Sequence, residues 1–437
     1  MPTLSLWKAK ASIPQTLLNW ENRYAGLGIL LLFLGAMSYF GWFVIRPAVY
    51  ANYSFAAFYT AAHILVNQPE EWSLVYQNDW FAAQIARTGF PEIYDVYNAN
   101  PPTTGFLFLP LLLLPVEWGR LAWVTGSLLS LITSLWLMAR LLKLPSAWVI
   151  WMMPFCCFLG PVASNFGRGQ LYLYLLLAFM VVCWSLLQGK QWLAGLLLGL
   201  LLIMKTAGSW LFLLLLLTRH WKVIGYAIGV AIVVALATLP WIGLQPWLVY
   251  AAELPRLATS PVRYVTGYQT ITSLFGHLLV YDARWNPTPV LDWPLAALLL
   301  TQGVFLLSLV LSLRWARLHD QAHEGKILTL ALFFALVVAN APLAEDYHYT
   351  LALPAILVAL WWYGQSSCEW PSTVLLGAAL VLLCAKIPYQ AAQLNVGWFA
   401  LLAYPRVYGA YLLWFWLLWQ LQRLPRAIQQ PPRSCPS

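Results

Sequence analysis

Apolar runs of about twenty residues, the length an α-helix needs to cross the hydrocarbon core of a bilayer, recur along almost the whole chain. They fall at 26–45, 118–138, 146–163, 170–188, 191–204, 207–218, 223–243, 294–313, 327–341, 349–363, 373–387 and 399–421. The chain therefore reads as an all-α polytopic integral membrane protein, a bundle of about twelve transmembrane helices.

Of the 437 residues, 61% are hydrophobic and 9% charged, too few charges to clothe a soluble domain. One membrane domain, residues 26–421, follows a cytoplasmic N-terminal segment, 1–25, and precedes a cytoplasmic tail, 422–437. The net charge of +9 does not imply a nucleic-acid partner, because the 24 Lys and Arg residues are scattered between apolar runs and form no stripe. Six cysteines give neither disulfide nor zinc spacing: Cys156, Cys157, Cys183 and Cys384 lie in apolar segments, Cys368 and Cys435 in short polar ones. The first run is too long for the core of a secretory signal and reads as a retained anchor.

With the N-terminus in the cytoplasm, alternate turns bring Arg140 and Lys143, Lys190, Arg219 and Lys222, Arg314, Arg317 and Lys326, and Arg423, Arg426 and Arg433 to the cytoplasmic side. This satisfies the positive-inside bias except at 364–372, which carries only Glu369. Two long loops, about 46–103 and 244–293, face outward with the turns 164–169, 342–348 and 388–398. In the first loop, Ser54–Asn67 and Asp79–Thr88 have the spacing of short amphipathic helices lying on the membrane surface, with simple packing against the bundle as the competing reading. Phe106–Leu114, broken by Pro110, is short for a crossing and reads as re-entrant or interfacial.

The string Ser54-Phe-Ala-Ala-Phe-Tyr-Thr-Ala-Ala, followed by Tyr97-Asn98-Ala-Asn-Pro-Pro and a Leu/Pro run, resembles the opening of glycosyltransferase family 87. The resemblance continues in order through Gly169-Gln170, Ala194-Gly195, Lys205, Gly267-Tyr268-Gln269-Thr-Ile-Thr-Ser-Leu274, and Ala341-Pro342 to His348-Tyr349. It implies a GT-C-type enzyme of a bacterial inner membrane that takes a sugar, mannose-like or a pentose, from a polyprenyl-phosphate donor. The sugar passes with inversion to a lipid or glycan acceptor on the outer, periplasmic face. It also implies a catalytic acid soon after the first span, where this chain has Ser54. A serine hydroxyl is no general base by itself at neutral pH, so another carboxylate is required, or the activity differs.

Such a transfer needs a base for the acceptor proton and cations or amides for the charge growing on the leaving phosphate. The outward acids are few: Glu70, Glu71, Asp79, Glu92, Asp95, Glu117, Glu253, Asp282, Asp292, Glu345 and Asp346. Glu345, Asp346 and His348 crowd one turn between two apolar helices, which makes Asp346 and Glu345 candidate catalytic groups or metal ligands and His348 a phosphate or sugar contact. Asp95 is the candidate substitute for the missing loop acid. Lys205, ending an apolar run, and Arg168, between two glycines, are candidate phosphate ligands. Tyr97, Asn98, Gln170, Tyr268 and Gln269 complete the candidate substrate contacts, and His63 is read as structural. No nucleotide-binding motif and no certain cofactor emerge, and a divalent metal stays open. A transporter or flippase for an amphipathic solute is the alternative from another class. Against it, the chain has no visible internal repeat and its polar groups gather at one face. A catalytically inactive relative is the third reading.

Overall fold

In the computed structural model, residues 23–50, 53–205, 209–319, 323–365 and 369–423 are described. Most of both expected cytoplasmic termini, with Cys368 and Cys435, lies outside them. The described residues are overwhelmingly helical; the one β-type pairing among them is an isolated bridge between Asp282 and Asn286.

The helices follow the apolar runs, and their ends follow the breakers. By length and apolarity four stretches are able to cross a bilayer: one beginning at Leu30, then Val116–Leu141, Trp221–Ile242 and Pro294–Leu318. A fifth is added if Trp148–Cys157 and Gly160–Arg168, bent by 73° at the Phe158–Leu159 break, count as one. Tyr172–Leu187, Gln191–Lys205 and Trp370–Cys384 are apolar but shorter. Of the twelve expected runs, several are thus realised as helices too short to cross alone, Ser209–Leu217 with nine residues being the extreme.

Lipid-type surface is plain on the outer helices: Leu295, Leu298, Leu299, Leu306, Leu307 and Val310 of Pro294–His319 are all exposed. Inside, close packing depends on small residues. Gln191–Lys205 lies against Trp221–Ile242, and a Cβ at Gly195 would stand 2.4 Å from Tyr226 Cβ; at Gly199 it would stand 2.6 Å from the Ala227 carbonyl oxygen. This Gly-x-x-x-Gly face lets the two helices approach closely.

In the first loop the packed reading holds for one helix. Tyr53–Asn67 is not a surface helix: Ser54, Phe55, Ala56, Ala57, Phe58, Ala61, Ala62, Ile64 and Leu65 are all buried. The cover comes from residues far along the chain, including Thr104–Leu113, which coils as a 3₁₀ helix and stacks Phe108 on Phe58 with ring centroids 4.5 Å apart. Trp241 donates its indole N–H to the Leu65 carbonyl at 2.8 Å. Asn78–Arg87 is amphipathic as expected, with Phe81 and Ile85 buried and Asp79 and Arg87 exposed. The acid that broke the positive-inside pattern, Glu369, pairs with Arg423 at 2.8 Å.

Candidate functional site

Helix ends and loops from distant parts of the chain enclose a cavity of about 520 Å³. Ser54, Asp95, Asn100, Gln170, Lys205, Tyr268, Glu345 and His348 supply its polar lining; Phe58, Trp210, Leu213, Phe305 and Val337 supply an apolar wall. Two carboxylates, a lysine and an imidazole thus face one space, beside a surface suited to a hydrocarbon chain.

Lys205 is the last residue of its helix, whose final carbonyls lack intrahelical donors. Thr103 and Thr104 meet that need by donating their hydroxyls to the carbonyls of Ile203 and Met204, which clips the first loop to the helix end. The Lys205 ammonium donates to Asn100 Oδ1 and lies 5.5 Å from the centre of the Phe58 ring. Asn100 is itself fixed: its side-chain amide donates to the Tyr97 carbonyl at 3.1 Å, and its own carbonyl accepts from the Tyr76 hydroxyl at 3.0 Å.

Gly160–Arg168 ends at Gly169, which adopts the left-handed conformation at φ 65° and comes so near Phe55 that a Cβ would lie 3.1 Å from its side chain. Trp123 pins this corner through a 3.0 Å indole hydrogen bond to the Gly169 carbonyl. Gln170 is thereby set beside Ser54, and its Nε2 donates to the serine hydroxyl at 2.6 Å. Asp95 lines the same cavity as Ser54, and its Oδ1 accepts the Val96 amide at 2.8 Å. Burial raises the Asp95 pKa above the usual carboxylate value, opposed by the Val96 amide, the nearby Ser54 hydroxyl and the charges of Lys205 and Arg168.

On the opposite wall, Glu345 begins the turn. Its carboxylate meets Arg168 at 3.1 Å and accepts from the Tyr347 hydroxyl at 3.2 Å, while its backbone N–H donates to His348 Nδ1 at 3.0 Å. Burial also lifts the Glu345 pKa, against the pull of Arg168. An imidazole that accepts at Nδ1 is neutral and carries its proton on Nε2. Burial, and then the nearby Lys205 charge, holds the His348 pKa well below the usual histidine range, in agreement with that tautomer. The ring stacks on Tyr347 with centroids 4.4 Å apart and meets Tyr172 at a tilt, 4.3 Å away.

Asp346, one residue on, faces elsewhere. It accepts from Arg406 Nε at 2.7 Å, and Arg406, whose side chain is 1% exposed, donates a second bond to the Leu382 carbonyl at 2.8 Å. Gln269 is also outside the cavity. Its Nε2 donates to the carbonyls of Thr266 and Ala403 at 2.9 and 2.8 Å, its Oε1 accepts the Arg406 amide at 3.3 Å, and its backbone N–H reaches the Ala344 carbonyl at 2.7 Å. Tyr97 is wholly buried among Trp72, Tyr76 and Phe81. Asn98 does not line the cavity, and Arg168 acts at its edge through Glu345. Thus Asp95, Lys205, Gln170, Tyr268, Glu345 and His348 converge, whereas Asp346, Gln269, Tyr97 and Asn98 do not. No group of three His, Cys, Asp or Glu side chains among the described residues is placed to hold a metal ion.

Asn100 and Arg406 are additions from the structure. The first carried a signal, an asparagine before Pro101-Pro102 in the family-like string; the second carried only that of a lone arginine inside an apolar run.

Helices able to cross a bilayer, with a charged cavity among their ends, define a helical protein built for a membrane. The sequence profile of glycosyltransferase family 87 matches residues 98–340, more than half of the chain, and the chain belongs to that family. The matched segment holds Asn98, Asn100, Arg168, Gln170, Lys205, Tyr268 and Gln269; Ser54, Asp95, Tyr97 and the Glu345–His348 turn flank it. No curated protein and no solved structure matches the chain at a significant level.

Proposed function

We propose that this glycosyltransferase moves a sugar, a mannose-like hexose or a pentose, from a polyprenyl-phosphate donor to a lipid or glycan acceptor at the outer face of a bacterial inner membrane. The observation that carries the reading is the shared cavity: Asp95 and Lys205 line one space together with an apolar wall. A lipid-linked phosphate has that same division, a charged head on a hydrocarbon tail. In this reading the shorter apolar helices complete a crossing set of about twelve, with both termini cytoplasmic.

In the reaction, Asp95 takes the proton of the acceptor hydroxyl as the acceptor oxygen bonds to the anomeric carbon. The bond from that carbon to the donor phosphate oxygen breaks, and its electron pair leaves on the phosphate. Lys205 meets the growing charge, with Arg168 near the edge, and a single displacement by one base inverts the anomeric centre. Neutral His348 offers an N–H, and Gln170 and Tyr268 contact the sugar. A positioned base contributes about 10²- to 10⁴-fold to such a step.

The test uses the full chain in proteoliposomes with radiolabelled polyprenyl-phosphate sugars and a lipid and glycan extract. Enzyme-dependent transfer from one donor, reduced at least about a hundredfold by Asp95→Asn, is the expected result. Silence across the panel from folded protein overturns the proposal and favours a transporter or an inactive relative; undiminished transfer by Asp95→Asn overturns the base assignment alone.

A further inference from the structure

The string Tyr97-Asn98-Ala99-Asn100-Pro101-Pro102-Thr103-Thr104 lies against the C-terminal end of Gln191–Lys205 and is hydrogen-bonded to it at three points. Thr103 and Thr104, both wholly buried, give their hydroxyls to the carbonyls of Ile203 and Met204, and Asn100 Oδ1 accepts from the Lys205 ammonium. The first two contacts are ordinary for a helix end, whose last carbonyls need donors from elsewhere. The third differs in kind, because it is made to a charged side chain at the wall of the cavity.

The direction of the Asn100 amide follows from its two neighbours. A carbonyl only accepts and an ammonium only donates. The side-chain nitrogen gives a hydrogen to the Tyr97 carbonyl at 3.1 Å, which turns the side-chain oxygen to Lys205. Aspartate, equal in length, accepts at both ends when ionised, and leucine does neither.

The amide also has a firm base. The Asn100 backbone N–H reaches the same Tyr97 carbonyl at 2.8 Å, and the Asn100 carbonyl accepts from the Tyr76 hydroxyl at 3.0 Å. Beyond it, the Thr104 N–H closes a turn on the Pro101 carbonyl at 3.0 Å. Gly105 then lies so near the buried Leu65 and Trp72 that a Cβ there would stand 2.8 Å from each. With the string held on both sides of Asn100, the loop sets where the ammonium stands.

The neutrality of the partner matters as much as its place. Asn100 fixes the ammonium without opposing its charge, whereas a carboxylate at position 100 would pair with it and weaken its attraction for an anion. The buried Arg406, by contrast, is met by the carboxylate of Asp346 at 2.7 Å.

We infer that Asn100 is a positioning residue: its amide, fixed on Tyr97, holds the Lys205 ammonium, charge intact, for the phosphate of the prenyl-linked donor. The inference deepens the proposed function and rests on Lys205 as a phosphate ligand. It gives the loop string a task at the site, the aiming of a cation, that packing alone does not call for.

The experiment is a double-mutant cycle in binding, with no turnover involved. The full chain in nanodiscs is titrated calorimetrically with farnesyl phosphate, a prenyl phosphate without sugar, and the heat of empty nanodiscs is subtracted. Lys205→Ala is expected to raise Kd about tenfold and Asn100→Ala about fivefold, the scale of one hydrogen bond. Because Asn100 acts through Lys205, the double variant should stay close to Lys205→Ala alone; independent effects would multiply to about fiftyfold. Asn100→Asp, with its opposing charge, should raise Kd more than Asn100→Ala does. Should Asn100→Ala not fold, Asn100→Ser, whose side chain is shorter, takes its place in the cycle. An unchanged Kd in Asn100→Ala, effects that multiply, or a smaller loss in Asn100→Asp than in Asn100→Ala overturns the inference while Lys205→Ala still weakens binding. An unchanged Kd in Lys205→Ala overturns the phosphate reading beneath it, and that single variant tells the two failures apart.

Discussion

Adjacent residues of one turn lead into two contrasting regions. Glu345 opens onto the cavity, whose lining it shares with Asp95, Lys205 and His348. Asp346 enters a close-packed clasp in which Arg406, Gln269, Tyr349 and the Leu382 carbonyl satisfy one another; the Tyr349 hydroxyl donates to the Gln269 carbonyl at 2.7 Å. The clasp spends its polar groups on holding four segments together, and the cavity keeps its polar groups beside open space. Charge in an apolar protein is therefore no guide to chemistry by itself. What separates the two regions is whether the charged groups border an open cavity or are enclosed by one another.

Arg406→Met should break the contrast most severely. It strands Asp346 and the Leu382 carbonyl, and loss of one partner from a buried ion pair costs about 3–5 kcal/mol. A marked drop in the fraction of protein surviving heating, followed by size-exclusion chromatography, is the expected outcome.

The paired variants Asp346→Asn and Glu345→Gln sharpen the difference. Asp346→Asn should lower thermal stability by about 2–4 kcal/mol and leave transfer per folded molecule little changed. Glu345→Gln should do the reverse, reducing transfer per folded molecule by about ten- to a hundredfold. Identical behaviour of the two would dissolve the division between clasp and cavity.

Lys205→Ala comes next in size. Loss of a charge-assisted contact to phosphate should raise the donor KM by about tenfold, with Lys205→Arg recovering part of it, measured by donor titration in proteoliposomes.

The smallest expected effect is on the pH dependence of stability. Burial raises the Glu345 and Asp95 pKa values above their ordinary 4.5 and 3.8, so between those values and the raised ones the folded protein binds more protons than the unfolded chain. Stability from these groups is fullest below the ordinary values and falls as pH rises through that window. Thermal midpoints should therefore decline from about pH 4 upward, and the decline should flatten in Glu345→Gln.

The helical architecture was legible because apolar runs and their breakers are local. So was the turn bearing Glu345 and His348, where polar residues stand out between two apolar helices. The Arg406 clasp was not, because its partners lie 60 and 137 residues away and an arginine in an apolar run reads as a residue reaching for the interface. Tyr53–Asn67 looked like a surface helix because its alanines and polar residues give a modest apolar face; the layer that buries it comes from distant residues, which periodicity cannot register. Asn100 stood among ordinary turn formers, and only its link to Lys205 sets it apart.

The glycine contact between Gln191–Lys205 and Trp221–Ile242 has a mechanical consequence. At Gly195 and Gly199 the facing helix comes so close that an added Cβ would meet Tyr226 Cβ or the Ala227 carbonyl, so the pair is packed as one rod. Trp221–Ile242 presents Ile228, Ile232, Val233 and Leu236 outward, the part of that rod on which surrounding lipid acts. In the proposed membrane placement, a thicker or thinner bilayer acts on this outward face and is felt at the rod's end as a change in the depth of the Lys205 ammonium.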